Sequence, residues 1–311
     1  MMDPQAKSVV DAMQADARPM PSDDRIWLDD YRRQLDAVVA MQGPVPLAPS
    51  VDRAVSTGTG ALGLRLYRPT EHGPWPTLLF IHGGGFVGGS LDGYDIPLRW
   101  LALRSGWQIA AIDYRLAPEH PFPAAPDDCA AALRSLFEDA SLGAERTRIA
   151  VGGDSAGGLL ATVLARSARD GGLRLALQVL LYPNTDLREG GLHASRRQFD
   201  GIVIRIDELY RSLDLYLGGT DRSRPDVSPL LADDLAGLCP ALLVTNGYDP
   251  LRDEGEAYGR RLEAAGVTVE TLRMDGMIHT ALQRAARIDA GDALITRIAA
   301  ALKAAATAPS H

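Results

Sequence analysis

The stretch GGDSAGG, residues 152–158, sets one serine among small residues, directly after the apolar run RIAV and directly before LLATVLA. In Gly153-Asp154-Ser155-Ala156-Gly157 the glycines lie two positions either side of the serine. A sharp strand-to-helix turn needs that spacing, because it crowds any Cβ there and exposes the serine hydroxyl. Small-residue turns also recur by chance, and a serine ahead of a helix is commonly a cap. The apolar strand before Ser155 and the helix after it supply the context that a catalytic serine requires. A hydroxyl becomes a good nucleophile only when a base takes its proton, so the chemistry demands a histidine and an orienting carboxylate, in the chain order serine, acid, histidine.

Asp249, at the end of ALLVTNGYD, and His279, just beyond TVETLRMDG, follow in that order. Each falls in a loop leaving the C-terminal end of a predicted strand. Asp249-Pro250 would also serve as a plain turn. Asp253 and Glu254 fall in the first turn of the next helix, where acidic side chains complement the dipole, and Asp275 lies on the same approach to the loop as His279. Asp249 therefore ranks first. Among the remaining histidines, His72 and His311 sit in polar loop or tail positions, His193 in an insertion and His120 in a proline-rich turn, which leaves His82 as the competitor.

His82 opens HGGG, residues 82–85, immediately after the apolar strand LLFI. Attack on a carbonyl builds an oxyanion, and consecutive glycines allow several backbone N–H groups to converge on it. A flexible turn or a phosphate-binding loop would have the same composition. A strand-terminal HGGG upstream of G-x-S-x-G is nevertheless the lipase and esterase combination. In that setting His82 is structural and the Ala156 amide adds a donor.

These residues need strands and helices to bring them together. Residues 1 to about 45 read as helical pieces, with Leu28, Tyr31, Leu35, Val38 and Val39 at helical spacing. VDRAVSTGTGALGLRLYRPT and PTLLFIHGG read as strands, the second apolar enough to be buried on both faces. Helix PLRWLALRSG, strand WQIAAIDY, helix DDCAAALRSLFEDA and strand RIAVGG continue an alternation that runs on through ALQVLLYPN, ALLVTNGYDP and TVETLRMDG to a final Ala-rich helix from about Ala285. Such alternation predicts an α/β fold with a mostly parallel sheet covered on both faces. Residues of about 185–235 break the rhythm with helical and loop material, as a lid would. One domain over 1–311 is expected, capped by about 1–45 and about 185–235. DYRLAPEHPFPAAPDD, residues 113–128, reads as a proline-fixed loop running into a helix, architecture rather than chemistry.

Composition narrows the partners. The 311 residues carry a formal net charge of -8 with scattered arginines, which argues against a nucleic-acid face. No segment approaches a membrane-spanning length and the N-terminus lacks the apolar run of a signal peptide, so a cytoplasmic protein without membrane attachment is expected. Cys129 and Cys239 have no zinc spacing and the histidines are dispersed, so neither metal nor cofactor is expected.

Taken together, HGGGFVGGS (82–90), DYRLAPEHPFPAAPDD, GDSAGG (153–158), YDPLRDEGEAY (248–258) and DGMIH (275–279) resemble the bacterial branch of the hormone-sensitive-lipase-like esterases, within the α/β-hydrolase superfamily. The resemblance runs over most of the chain. It implies the α/β-hydrolase fold with a helical cap and a carboxylic-ester hydrolase acting on small to medium acyl esters through an acyl-enzyme. It implies Ser155 as nucleophile, His279 as base and then acid, and Asp249 orienting the imidazole. It also implies an oxyanion hole from Gly83, Gly84, Gly85 and Ala156, with Gly83 shaping the loop. The chain departs from the family where relatives continue after the histidine with Gly-Phe, for here Thr280-Ala281 stands, and where the cap reads RIDELYRSLDLYL with few aromatics. Both departures bear on acyl preference. The same machinery would serve an amidase or deacetylase, and some relatives of this fold are noncatalytic receptors, so these stand as alternatives. A small-molecule ester is the expected partner, and a homodimer is possible.

Overall fold

At the centre of the sheet, LLFI, residues 78–81, shows why the strands must be covered twice. Leu79 and Ile81 enter one apolar cluster while Leu78 and Phe80 enter another on the opposite face. Side chains alternate across a strand, so a run that is apolar at every position fits only between two layers. The computed structural model describes residues 1–46, 48–58, 60–190 and 192–307; His311, read above as a tail residue, lies outside them.

The chain opens with helices α1 (Pro4–Ala15) and α2 (Asp24–Ala37). Each starts on an aspartate whose carboxylate accepts two backbone N–H groups, Asp3 from Gln5 and Ala6 and Asp23 from Arg25 and Ile26. Such caps satisfy donors that a helix cannot pair internally. Strands β1 (Ser50–Thr57) and β2 (Gly60–Tyr67) form an antiparallel hairpin, so the stretch beginning at Val51 is two strands and not one. β3 (Trp75–Ile81), α3 (Asp95–Ser105), β4 (Gln108–Asp113), α4 (Ala124–Glu138), β5 (Ala144–Asp154), α5 (Ala156–Asp170) and β6 (Gln178–Leu181) follow. Then come α6 (Ala194–Gln198) and α7 (Ile206–Leu217) in the insertion, followed by β7 (Ala241–Tyr248), α8 (Arg252–Ala264), β8 (Val269–Ile278) and α9 (Asp289–Thr307).

The eight strands are ordered β1-β2-β4-β3-β5-β6-β7-β8. β1, β2 and β4 pair antiparallel, and from β4 to β8 every pairing is parallel. This is the α/β-hydrolase fold, a mostly parallel sheet flanked by helices. Leu133, Leu159, Leu164 and Leu262 place α4, α5 and α8 on the face fed by Leu79, while Leu98, Leu101, Ile295 and Ile298 place α3 and α9 on the face fed by Leu78. Each fully buried leucine or isoleucine of this kind contributes about 1.5–3 kcal/mol. The last helix starts at Asp289, later than the Ala285 expected from composition, because residues Leu282–Arg284 form a short 3-10 turn first.

Two regions lie outside the alternation. α1 packs Ala6 and Val10 on Met277 and Ile278 at the end of β8, and the Asp3 N–H donates to the Gly276 carbonyl at 3.0 Å. α2 meets the insertion through Arg211 of α7, which pairs with Asp24 and stacks 5.0 Å over Trp27. Among the described residues no helix is long and apolar enough to cross a membrane.

Candidate active site

β5 ends at Asp154 and α5 begins at Ala156, which leaves Ser155 alone at the junction. Its backbone is bent to φ 54°, ψ −120°, a conformation that non-glycine residues adopt only when neighbours hold them there. The holding bonds are the Ser155 N–H to the Leu181 carbonyl at 2.9 Å and the Leu159 and Asn184 N–H groups to the Ser155 carbonyl. The turn lies so close to β3 that a Cβ on Gly157 would stand 2.0 Å from the Ile81 carbonyl oxygen. Glycine at that position is a steric requirement.

The structure brings the three expected side chains into one line. Ser155 Oγ lies 2.9 Å from His279 Nε2, and His279 Nδ1 lies 2.7 Å from Asp249 Oδ2. Asp249 sits just after β7 and His279 just after β8, so parallel neighbours deliver both to the same sheet edge as β5 delivers Ser155. Asp249 is wholly buried and His279 nearly so. The Leu251 N–H donates to Asp249 Oδ1 at 2.9 Å, which fixes the carboxylate, and Tyr182 meets the imidazole edge-on at 4.8 Å. A carboxylate only accepts, so Nδ1 carries the proton and Nε2 keeps its lone pair toward the serine. That arrangement can take the Ser155 proton.

The glycine loop turns back on itself, with the Val87 and Gly88 N–H groups donating to the Gly84 carbonyl. Gly84 has φ +126°, and a Cβ there would stand 2.2 Å from the Gly88 oxygen, so the loop tolerates only glycine. Gly84 and Gly85 line the cavity beside Ser155 and Ala156, and their N–H groups have no acceptor among the described residues. The Ala156 N–H is the first of α5, among the donors a helix leaves unpaired. Gly83 differs from the expectation that it joins this set. Its N–H donates to Asp154 Oδ1 at 2.9 Å and to the Tyr94 hydroxyl at 3.0 Å, so it braces the loop and is not free for an oxyanion. His82 is likewise structural: Nδ1 donates to the Gly83 carbonyl, the ring stacks on Tyr114 at 4.4 Å, and burial holds its pKa below the usual histidine value.

Three groups escaped the sequence reading. Asp154, the residue before Ser155, is fully buried and its pKa is pushed up to about 6 by desolvation, against the Tyr94 hydroxyl and the Gly83 N–H that favour the charge. Glu254 is more than an acidic residue near a helix start. It is wholly buried, accepts from the Thr185 N–H at 2.9 Å, and pairs at 2.6 Å with the buried Arg196 of the insertion. Arg284, deep in the cavity wall, had no motif to mark it. Of the other expectations, His193 pairs with Asp186 at 2.9 Å, Asp128 caps the proline loop by binding Arg115, and both cysteines are free. Tyr216 stacks on Phe86 at 4.0 Å and does not line the cavity, whereas Thr280 does. Among the described residues no cluster of His, Cys, Asp and Glu could hold a metal ion.

Residues 78–283 match the family described as having the alpha/beta hydrolase fold. The chain belongs to that family, in its hormone-sensitive-lipase-like branch. It is 42% identical over 253 residues to the carboxylic ester hydrolase LipN of Mycobacterium tuberculosis, covering 77% of this chain and 66% of LipN. It is 37% identical over 286 residues to the ethyl acetate hydrolase of Pseudomonas putida, covering 88% of this chain and 89% of that one. The solved hyperthermophilic esterase of Pyrobaculum calidifontis superposes with a TM-score of 0.92 at 34% identity, over 99% of each chain. This α/β-hydrolase is a serine carboxylic-ester hydrolase, and esters are its substrates.

Proposed function

We propose that Ser155 is the nucleophile, His279 the general base and then acid, and Asp249 the group that orients and stabilises the imidazole. The unbroken line from Ser155 Oγ through His279 to Asp249, at 2.9 and 2.7 Å, carries this reading. Nε2 takes the serine proton as Oγ bonds to the ester carbonyl carbon. The carbonyl oxygen gains the negative charge and meets the N–H groups of Gly84, Gly85 and Ala156. Collapse breaks the bond to the alcohol oxygen, which takes the proton back from Nε2, and leaves the acyl group on Ser155. Water then repeats the sequence, with Nε2 taking its proton, and the acid departs as Ser155 recovers its own.

In this reading residues of about 1–45 and 185–235 form one cap on a single domain. Tyr31, Leu35 and Val38 from the first region and Leu209 and Ser212 from the second face the same cavity as Ser155, a space of about 140 Å³. Cap side chains in the wall of that cavity confine the acyl group and favour a short one, in keeping with a relative named for ethyl acetate hydrolysis. A panel of para-nitrophenyl esters tests this. Acetate to hexanoate should give the highest kcat/KM and laurate at least tenfold less; a profile rising to laurate would refute the cap's role in limiting acyl length. A cytoplasmic location and a homodimer belong to the same proposal, checked by fractionation and by sedimentation.

A further inference from the structure

Arg284 ends the 3-10 turn Leu282–Arg284 that follows His279, and it is only 5% exposed. Buried cations are ordinarily paired with a carboxylate, as Arg196 is with Glu254. Among the described residues Arg284 forms no ion pair. Of the five N–H groups of a guanidinium, one Nη1 donor meets the Thr280 hydroxyl and one Nη2 donor meets Met13 Sδ at 3.4 Å. Buried Nε has no partner, so most of the fork is unspent. Burial draws its pKa below the usual guanidinium value, and the phenols of Tyr182 and Tyr94 offset only part of that effect.

The guanidinium belongs to the wall of the cavity that Ser155, His279 and Thr280 also line. The acidic groups of that wall do not satisfy it: Asp154 is engaged by Gly83 and Tyr94, and Asp36 and Glu208 belong to the cap helices α2 and α7. Arg205, the other cation of the wall, is already bound to Asp207. A desolvated cation with spare donors in the wall of the cavity that holds the reacting serine is a receptor for an anion that arrives with the substrate.

We propose that Arg284 binds a carboxylate carried by the substrate, so that the preferred esters are those with a carboxylate a few bonds from the scissile carbonyl. This rests on the proposed role of Ser155 and His279 and names the substrate class for that site. Two pairs of esters test it and locate the anion. On the alcohol side, meta-acetoxybenzoate is compared with meta-acetoxybenzamide; on the acyl side, the para-nitrophenyl monoester of adipate is compared with that of its primary amide. A charge-assisted fork is worth about ten- to a hundredfold in kcat/KM, so wild type should favour the carboxylate by that factor in at least one pair. Arg284→Gln should bring the ratio toward unity, chiefly through KM, and Arg284→Lys should restore part of it. The wild-type comparison needs no variant, so a misfolded substitution leaves it intact. A ratio at or below one in both pairs, or a preference that survives in folded R284Q, would overturn the proposal. Neutral amide esters that are turned over while the carboxylates are not would reject Arg284 alone, whereas inertness of all four esters would reject the catalytic reading beneath it.

Discussion

Asp154→Asn should make the protein more stable than wild type, and increasingly so as pH rises. The Asp154 carboxyl has an ordinary pKa of 3.8 and is pushed up to about 6 in the folded protein, chiefly by burial. The folded state therefore holds this proton more tightly than the unfolded chain. Stability from the protonated group is complete below 3.8 and is lost as pH climbs through about 6. The full loss is about 3 kcal/mol, since each unit of pKa is about 1.4 kcal/mol. Asparagine keeps an oxygen for the Gly83 N–H but no acceptor for the Tyr94 O–H, which costs about 1 kcal/mol at any pH. Relative to wild type the variant should thus gain about 1–2 kcal/mol between about pH 5 and pH 8. Urea unfolding of both proteins across that range, read as the difference in midpoints, measures it. A difference that stays flat, or that moves against the variant as pH rises, would show that burial does not dominate the Asp154 carboxyl.

Asp249→Asn leaves the Leu251 N–H an acceptor but lets the imidazole adopt the wrong tautomer, so kcat on a short aryl ester should fall by about three to four orders of magnitude with the melting temperature little changed. Glu254→Gln strands the buried Arg196 without its carboxylate; urea unfolding should show about 3–5 kcal/mol of destabilisation.

The sequence made the sheet legible wherever a strand was apolar on both faces, as in TLLFI or ALLV, and made the elbow legible because Gly153, Ser155 and Gly157 are neighbours in the chain. Asp249 and His279 could be found because strand ends lie together in a parallel sheet, so order along the chain carries over to position in space. The pairing of Glu254 with Arg196 spans 58 residues and leaves no periodicity, so no local pattern announces it. The composition of HGGG does not show which of its three glycine N–H groups stays free. Only the approach of Asp154 and Tyr94 separates them. No local pattern marks Arg284 as buried, because burial of a single side chain is a property of the tertiary packing, here the contact with Met13 of α1.

The central claim is that Ser155 attacks the ester. Peptide mapping by mass spectrometry after treatment with a para-nitrophenyl alkylphosphonate tests it most directly. One phosphonyl group per chain should appear on the peptide containing Ser155, with esterase activity falling in proportion to labelling. Full inactivation with the adduct on another residue, or retained activity in protein fully labelled at Ser155, would contradict it.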